Sequence, residues 1–186
     1  MWEIISNFDI YLLTFFMDNL RSEVLDTVMP FISALGNFGI IWIVIALFLI
    51  RQKQYRTVGI TVLTALLLCG LIGNLGLKPL IARLRPEGIP PEIALLIPQP
   101  TDYSFPSGHT MSSFASAAVM LWHNKRAGCY TLLAATLMAY SRLYLCLHYP
   151  TDILGGIVLG SLIGMMAVLL VRAVHRRYNS ARHEHE

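Results

Sequence analysis

Long apolar stretches separated by short polar or basic breaks run through this chain, at roughly 38–50, 57–77, 108–123, 129–147 and 152–172. A helix that spans a bilayer needs roughly 20 mostly apolar residues, so these runs read as spans rather than as half-exposed surface helices. The first run is short and can extend backwards through Ile32 to Gly39. Upstream the pattern is mixed. Glu3, Asp9 and Asp18 interrupt the stretch from Ile4 to Leu20, which fits either a tilted span or an interfacial amphipathic helix. Residues 21–36, with Arg21, Glu23 and Asp26 ahead of Val28, Phe31 and Ile32, fit an interfacial segment. The pattern predicts an all-α, polytopic membrane helix bundle of about six transmembrane helices, with about five as the minimum. In the last run Gly156, Gly160 and Gly164 recur at four-residue spacing, which lets another helix approach closely and predicts packing inside the bundle rather than a dimer seam. No inverted repeat or matched pair of broken helices marks a transporter.

Composition agrees with this reading. Of 186 residues, 55% are hydrophobic and 13% charged, and mean hydropathy is +0.59, too apolar for an ordinary soluble domain. The length suits one membrane-embedded domain over residues 1–186. Nine of the fourteen Lys and Arg residues fall in RQKQYR (51–56), NKR (124–126) and the stretch from Arg172 to Arg182. Span parity puts these three on one side, which the positive-inside rule makes cytoplasmic. Residues 176–186 then form a cytoplasmic tail whose end, ARHEHE, is expected to be disordered. Short basic clusters between spans set membrane orientation, so no nucleic-acid partner is predicted. Cys69, Cys129 and Cys146 lie in apolar runs at no metal-ligand spacing and are expected to be buried small hydrophobes. The N-terminus MWEIISNFDI lacks the basic n-region of a cleaved signal and is expected to be retained.

The unusual polar residues collect at the opposite face. Between Tyr103 and His183 the single acid is Asp152, and an unpaired carboxylate is costly in an apolar segment. Three clusters flank it: Lys78 to Pro86 (KPLIARLRP), Pro106-Ser107-Gly108-His109, and Ser141 to Asp152 (SRLYLCLHYPTD). Each part suits phosphate chemistry. Lys78, Arg85 and Arg142 offer charge and directional donors, and an arginine can grip two phosphate oxygens at once. Ser107 and Gly108 precede a helix, whose free N–H groups favour an anion. Asp152, four residues after His148, can hold one imidazole nitrogen and leave the other as nucleophile, while His109 can protonate a leaving oxygen. Blander roles exist for every one of these. Lys78 and Arg85 can snorkel, Ser107 and Asp152 can cap helices, and His148 can be an interfacial histidine. Ser112, Ser113 and Ser116 can serve helix packing, with one of them able to touch a headgroup. His123, His175, His183 and His185 lie towards the cytoplasmic side and receive no catalytic role. Three bases, two histidines and the one deep carboxylate at a single face favour a common site over separate accidents.

The three clusters read K-x6-R-P, P-S-G-H and S-R-x5-H-x3-D, and in this the chain resembles the type 2 phosphatidic acid phosphatase family, which shares its site with vanadium haloperoxidases. The motif core spans residues 78–152, and no signature position is missing. The resemblance implies that His148 attacks phosphorus to form a phosphohistidine, that Asp152 orients it, and that His109 protonates the leaving group and then activates water. It further implies that Lys78, Arg85, Ser107, Gly108 and Arg142 bind phosphoryl oxygens, with no metal and no cofactor. Arg83 is an extra base outside the pattern, and its role stays open.

The expected protein is therefore an integral lipid phosphatase of a bacterial inner membrane, with an extracytoplasmic site and a cytoplasmic C-terminus. Its partners are the bilayer and a membrane lipid phosphate whose tails enter sideways, near the Lys78–Ser107 loop and the start of the 108–123 helix. Undecaprenyl diphosphate is the leading substrate, with phosphatidylglycerol phosphate and phosphatidic acid as rivals. A haloperoxidase would share the site but not the many spans, and a non-catalytic lipid transporter or scaffold would not need His148. The oligomeric state is not legible.

Overall fold

The computed structural model describes residues 2–87 and 96–183, and every regular element among them is helical. Helix α1 covers Trp2–Asn19 and α2 covers Glu23–Leu35, where the Ser22 side chain accepts from Leu25 N at 3.3 Å and caps the start. A single 3-10 turn, Asn37–Gly39, joins α2 to α3 (Ile40–Arg51). Phe38 and Gly39 take left-handed φ values of 52° and 68° there, and the α2–α3 pair bends by 50°. Helix α4 (Arg56–Leu68) continues through a π-helical stretch, Cys69–Leu77, into a last turn, Lys78–Ile81. Ala82, at φ 48°, stops it by donating its N–H back to Lys78 O at 2.9 Å. Then follow α5 (Gly108–His123), α6 (Lys125–Tyr144) and α7 (Pro150–His183).

Helix α5 is the central post. It packs most extensively on α7 and α6, and its Met111, Ala115 and Val119 are buried with Val62 and Ala65 of α4 and Ile163 and Ala167 of α7. The glycine repeat explains how α5 and α7 come so close. A Cβ at Gly156, Gly160 or Gly164 would lie 3.0 Å from Ser107 O, 2.3 Å from Met111 O and 2.5 Å from Ala115 O. The repeat is thus a seam within the bundle. Phe48, Leu67, Leu75, Leu133 and Leu162 instead point outward and are exposed, an apolar belt that water would penalise and lipid would not.

Two expectations need correction, and the span count is met only in part. By length and apolarity two helices qualify as membrane spans, Lys53–Ile81 and Pro150–Tyr178, or three if the bent α2–α3 pair counts as one. Six are not met on that measure. Helix α1 carries Glu3, Asp9 and Asp18, α5 is 16 residues long and rich in serine, and α6 carries Lys125, Arg126 and Arg142. Cys129 is exposed on α6, while Cys69 and Cys146 are buried as expected, because apolar position alone does not say whether a helix face meets protein or lipid. Finally, α7 continues to His183, so residues 181–183 extend a helix rather than a disordered tail; residues 184–186 lie outside the described residues.

Gly160→Val tests the seam. Overpacking of this kind costs ~1–3 kcal/mol, and the unfolding midpoint in detergent should fall by several degrees. Gly70→Ala, where an added Cβ meets no atom within 4 Å, should leave the midpoint in place. Equal midpoints for the two variants would mean that α5 and α7 do not touch backbone to backbone.

Candidate active site

The helix order brings all three polar clusters to one end of the bundle. Lys78 ends the α4 rod, Ser107 precedes α5, Arg142 sits in the last turn of α6, and Asp152 lies in the first turn of α7. Between α2, the π-helical stretch, α5 and the loop before it lies a cavity of ≈ 730 Å³. Lys78, Arg85, Gly108, His109, Arg142 and His148 all line it. Ser107 and Asp152 are fully buried behind that wall. The eight expected site residues are therefore brought together, six in front and two behind.

His148 is set by its neighbours. Its Nδ1 is 3.7 Å from Asp152 Oδ2, beyond hydrogen-bond reach, and the Ser104 hydroxyl stands between them. Ser104 Oγ donates to Asp152 Oδ2 at 2.5 Å and lies 3.3 Å from His148 Nδ1. One hydroxyl proton committed to Asp152 leaves Ser104 to accept from His148, which puts the imidazole proton on Nδ1 and the lone pair on Nε2. Nε2 faces Arg85 Nη1 at 3.3 Å and so stands at the cavity wall. Burial, opposed in part by the nearby Asp152, lowers the His148 pKa well below the ordinary histidine value and keeps the ring neutral. Asp152 Oδ2 also accepts the Tyr149 N–H at 2.9 Å, so the carboxylate caps the start of α7 as well as meeting Ser104.

The cations differ in how well they are matched. Lys78 and Arg85 clamp the Asp102 carboxylate, with Lys78 Nζ in contact with Oδ2 and Arg85 Nη2 donating to Oδ1 at 2.6 Å. Arg85 also donates to Asp102 O at 2.9 Å and to Leu147 O at 2.5 Å. Burial alone would raise the Asp102 pKa, but the hydrogen bonds from Lys78 and Arg85 outweigh it and hold the group at about 2. Arg142 is otherwise. It is buried, Nη1 donates to Ser33 Oγ, and Nε has no partner among the described residues. A buried guanidinium that no described carboxylate pairs with keeps a positive charge that its surroundings do not compensate. His109 Nε2 lies 3.1 Å from Asn37 Oδ1, an acceptor that puts a proton on that nitrogen. At Gly108 a Cβ would come within 3.1 Å of Asn74 Oδ1, close enough that the amide would have to shift by a few tenths of an ångström. Among the described residues no group of three His, Cys, Asp or Glu side chains is arranged to hold a metal ion.

Sequence reasoning missed Ser104, Asn37, Asp9 and the clamp on Asp102. Asp9 alone carried a signal, as an acid inside an apolar stretch; Ser104 and Asn37 are ordinary polar residues in ordinary turns. Of the helix serines, Ser112 lines the cavity, while Ser113 accepts from Trp42 Nε1 at 2.9 Å and ties α5 to α3.

Residues 58–176 match the PAP2 superfamily model, and the chain belongs to that superfamily, the type 2 phosphatidic acid phosphatase family its motifs resemble. Among curated relatives, the undecaprenyl-diphosphatase of Sulfolobus acidocaldarius is 34% identical over 145 residues, 77% of this chain and 69% of its own length. The undecaprenyl-diphosphatase BcrC of Bacillus subtilis is 31% identical over 150 residues, 78% of this chain and 75% of its own. The crystal structure of a transmembrane PAP2 type phosphatidylglycerolphosphate phosphatase from Bacillus subtilis superposes with a TM-score of 0.72 at 26% identity, covering 94% of this chain and 87% of that one.

The clamp makes Asp102 an internal competitor for the two cations that a phosphate would use. Asp102→Asn should tighten inhibition by orthovanadate roughly tenfold, the scale of one lost charged hydrogen bond. Unchanged inhibition would mean that the carboxylate does not compete.

Proposed function

We propose that the chain is a membrane lipid phosphatase that hydrolyses a lipid phosphate or diphosphate through a phosphohistidine. The observation that carries this reading is Arg142, buried and with an unpartnered Nε, in the wall of the same cavity as His148, His109, Lys78 and Arg85. The substrate phosphate takes the place of Asp102 between Lys78 and Arg85 and satisfies Arg142, while the start of α5 offers the Gly108 N–H side; the Ser107 N–H, expected at the same anion, is committed to Asp152 O at 3.2 Å. His148 Nε2 gives its lone pair to phosphorus. The bond to the lipid-side oxygen breaks, and His109 supplies that oxygen with a proton. Water, deprotonated by His109, then attacks the phosphohistidine, releases phosphate and returns the lone pair to Nε2. Asp152 holds the ring through Ser104 and stabilises the charge that forms on it.

Undecaprenyl diphosphate is the favoured substrate, supported by two relatives above 30% identity that bear that activity in their names. Phosphatidylglycerol phosphate is the second reading, supported by the solved relative that aligns over most of the chain. The protein sits in a bacterial inner membrane. With the bent α2–α3 pair as one span, α1 and α4–α7 bring the crossings to six, Asp9 of α1 and Arg142 of α6 being buried while the exposed Asp18, Lys125 and Arg126 lie at helix ends. The site end of the bundle lies opposite the bases at Arg51–Arg56, Lys125–Arg126 and Arg172–Arg177, so the positive-inside rule makes the site extracytoplasmic.

The test is phosphate release by purified protein from undecaprenyl diphosphate, phosphatidylglycerol phosphate and phosphatidic acid. His148→Ala should lose at least about a thousandfold in kcat, as removal of a nucleophile does, and orthovanadate should inhibit as a mimic of the five-coordinate transition state. An alanine variant as active as wild type would end the phosphohistidine route.

A further inference from the structure

Arg83 is the base that the three motifs leave without a task. It lies two residues before Arg85, yet their guanidiniums part, and Arg83 does not line the cavity. It turns inward instead. Nη1 donates to Asp152 Oδ1 at 2.7 Å and to Thr151 Oγ1 at 2.7 Å, and Nη2 donates to Asp9 Oδ2 at 2.6 Å. Its flat face covers the Tyr149 ring, 4.2 Å from the centroid. Asp9 comes from α1 and is fully buried. Its Oδ1 accepts the Thr151 N–H at 2.9 Å, and its Oδ2 accepts the Thr151 hydroxyl at 2.5 Å.

We infer that Arg83 and Asp9 are a positioning pair for the reaction, fixing the Asp152 carboxylate and, through Ser104, the His148 ring; this rests on the function proposed above. Asp152 needs a cation because its Oδ1 is buried and takes no other hydrogen bond. Arg83 in turn needs its far nitrogen held, or it could swing towards the cavity and join the phosphate ligands. Asp9 holds that nitrogen. The same carboxylate grips Thr151, so the turn that carries His148, Tyr149 and Asp152 is pinned from the side away from substrate. Neither residue touches the reacting atoms. Their effect belongs on the rate of phosphoryl transfer, because orienting partners of this kind typically contribute about 10–100-fold.

The experiment uses the full chain in detergent and steady-state hydrolysis of a lipid diphosphate, with unfolding midpoint and monodispersity measured for every variant. Asp9→Asn and Arg83→Gln should each lower kcat by about 10–100-fold while KM stays within about threefold, since Lys78, Arg85 and Arg142 are untouched. Arg83→Lys, which keeps the charge and one bond, should regain at least about threefold of the loss. The double variant should lose clearly less than the product of the two single losses, because Arg83 and Asp9 share one network around Thr151 and Asp152. The inference is overturned if either single variant keeps wild-type kcat, if the two losses multiply, or if kcat falls only with the folded fraction and Arg83→Lys is as poor as Arg83→Gln. Should Arg83→Gln not fold, Asp9→Asn decides alone, since it is isosteric and leaves the arginine in place. A wild-type chain that released no phosphate from any lipid would defeat the proposed function itself, before any variant was compared, and would take this inference with it.

Discussion

A carboxylate buried in an apolar bundle must be fully matched, and Asp152 is the one on which the rest of the site depends. Its two oxygens accept from Arg83, Ser104 and the Tyr149 N–H, and its own backbone carbonyl accepts from Ser107 N at 3.2 Å. Every motif is thereby tied to one residue. The first cluster supplies Arg83, the second is held through Ser107, and the third contains Asp152 itself. A shift of α7 would move the nucleophile and the phosphate-facing start of α5 together.

That coupling requires α5 and α7 to meet at backbone distance, which is what the glycine repeat permits. Gly156 is the crossing point, because a Cβ there would meet Thr110 Cβ at 2.9 Å and Ser107 O at 3.0 Å. The residues that close this contact are the ones that seat Ser107 beside Asp152. Packing and chemistry therefore share a constraint. A bulkier residue at this position would push the helix start away from the carboxylate that anchors it, and site geometry would be lost before the hydrophobic core was.

Much of this was legible in the chain. The three motifs named all eight site residues that the structure brings together, and the apolar run at 108–123 matches α5 end to end. The seam glycines were legible because four-residue spacing on a helix has one geometric meaning. What escaped depends on contacts across the fold. Asp9 looked like an obstacle to a span, and its partner, Arg83, lies 74 residues away. Ser104 became an intermediary only because the loop before α5 folds against α7, and no local pattern announces that. The two-or-three-span result reflects the same limit, since a polar helix face reads alike whether it meets water or another helix. Cys129 shows the converse, an apolar neighbourhood on a face that no other helix covers.

The distribution of unmet charge gives the site its direction. Behind His148 the groups hold one another, with Arg83 bonded to Asp152 and Asp9, and Ser104 bonded to Asp152. In front, three cations face one carboxylate among the described residues, Asp102, which is 52% exposed. Arg142 keeps an unpartnered nitrogen at the same wall. In the proposed function an anion is drawn to the side of the imidazole on which Nε2 carries the lone pair. In the proposed reaction the proton that Ser104 holds on Nδ1 leaves Nε2 as the nitrogen that meets phosphate. In the proposed function the hydrogen-bonded rear and the cation-rich front are two halves of one arrangement, in which the buried network would set the nucleophile and the cations would set the path of the phosphorus towards it.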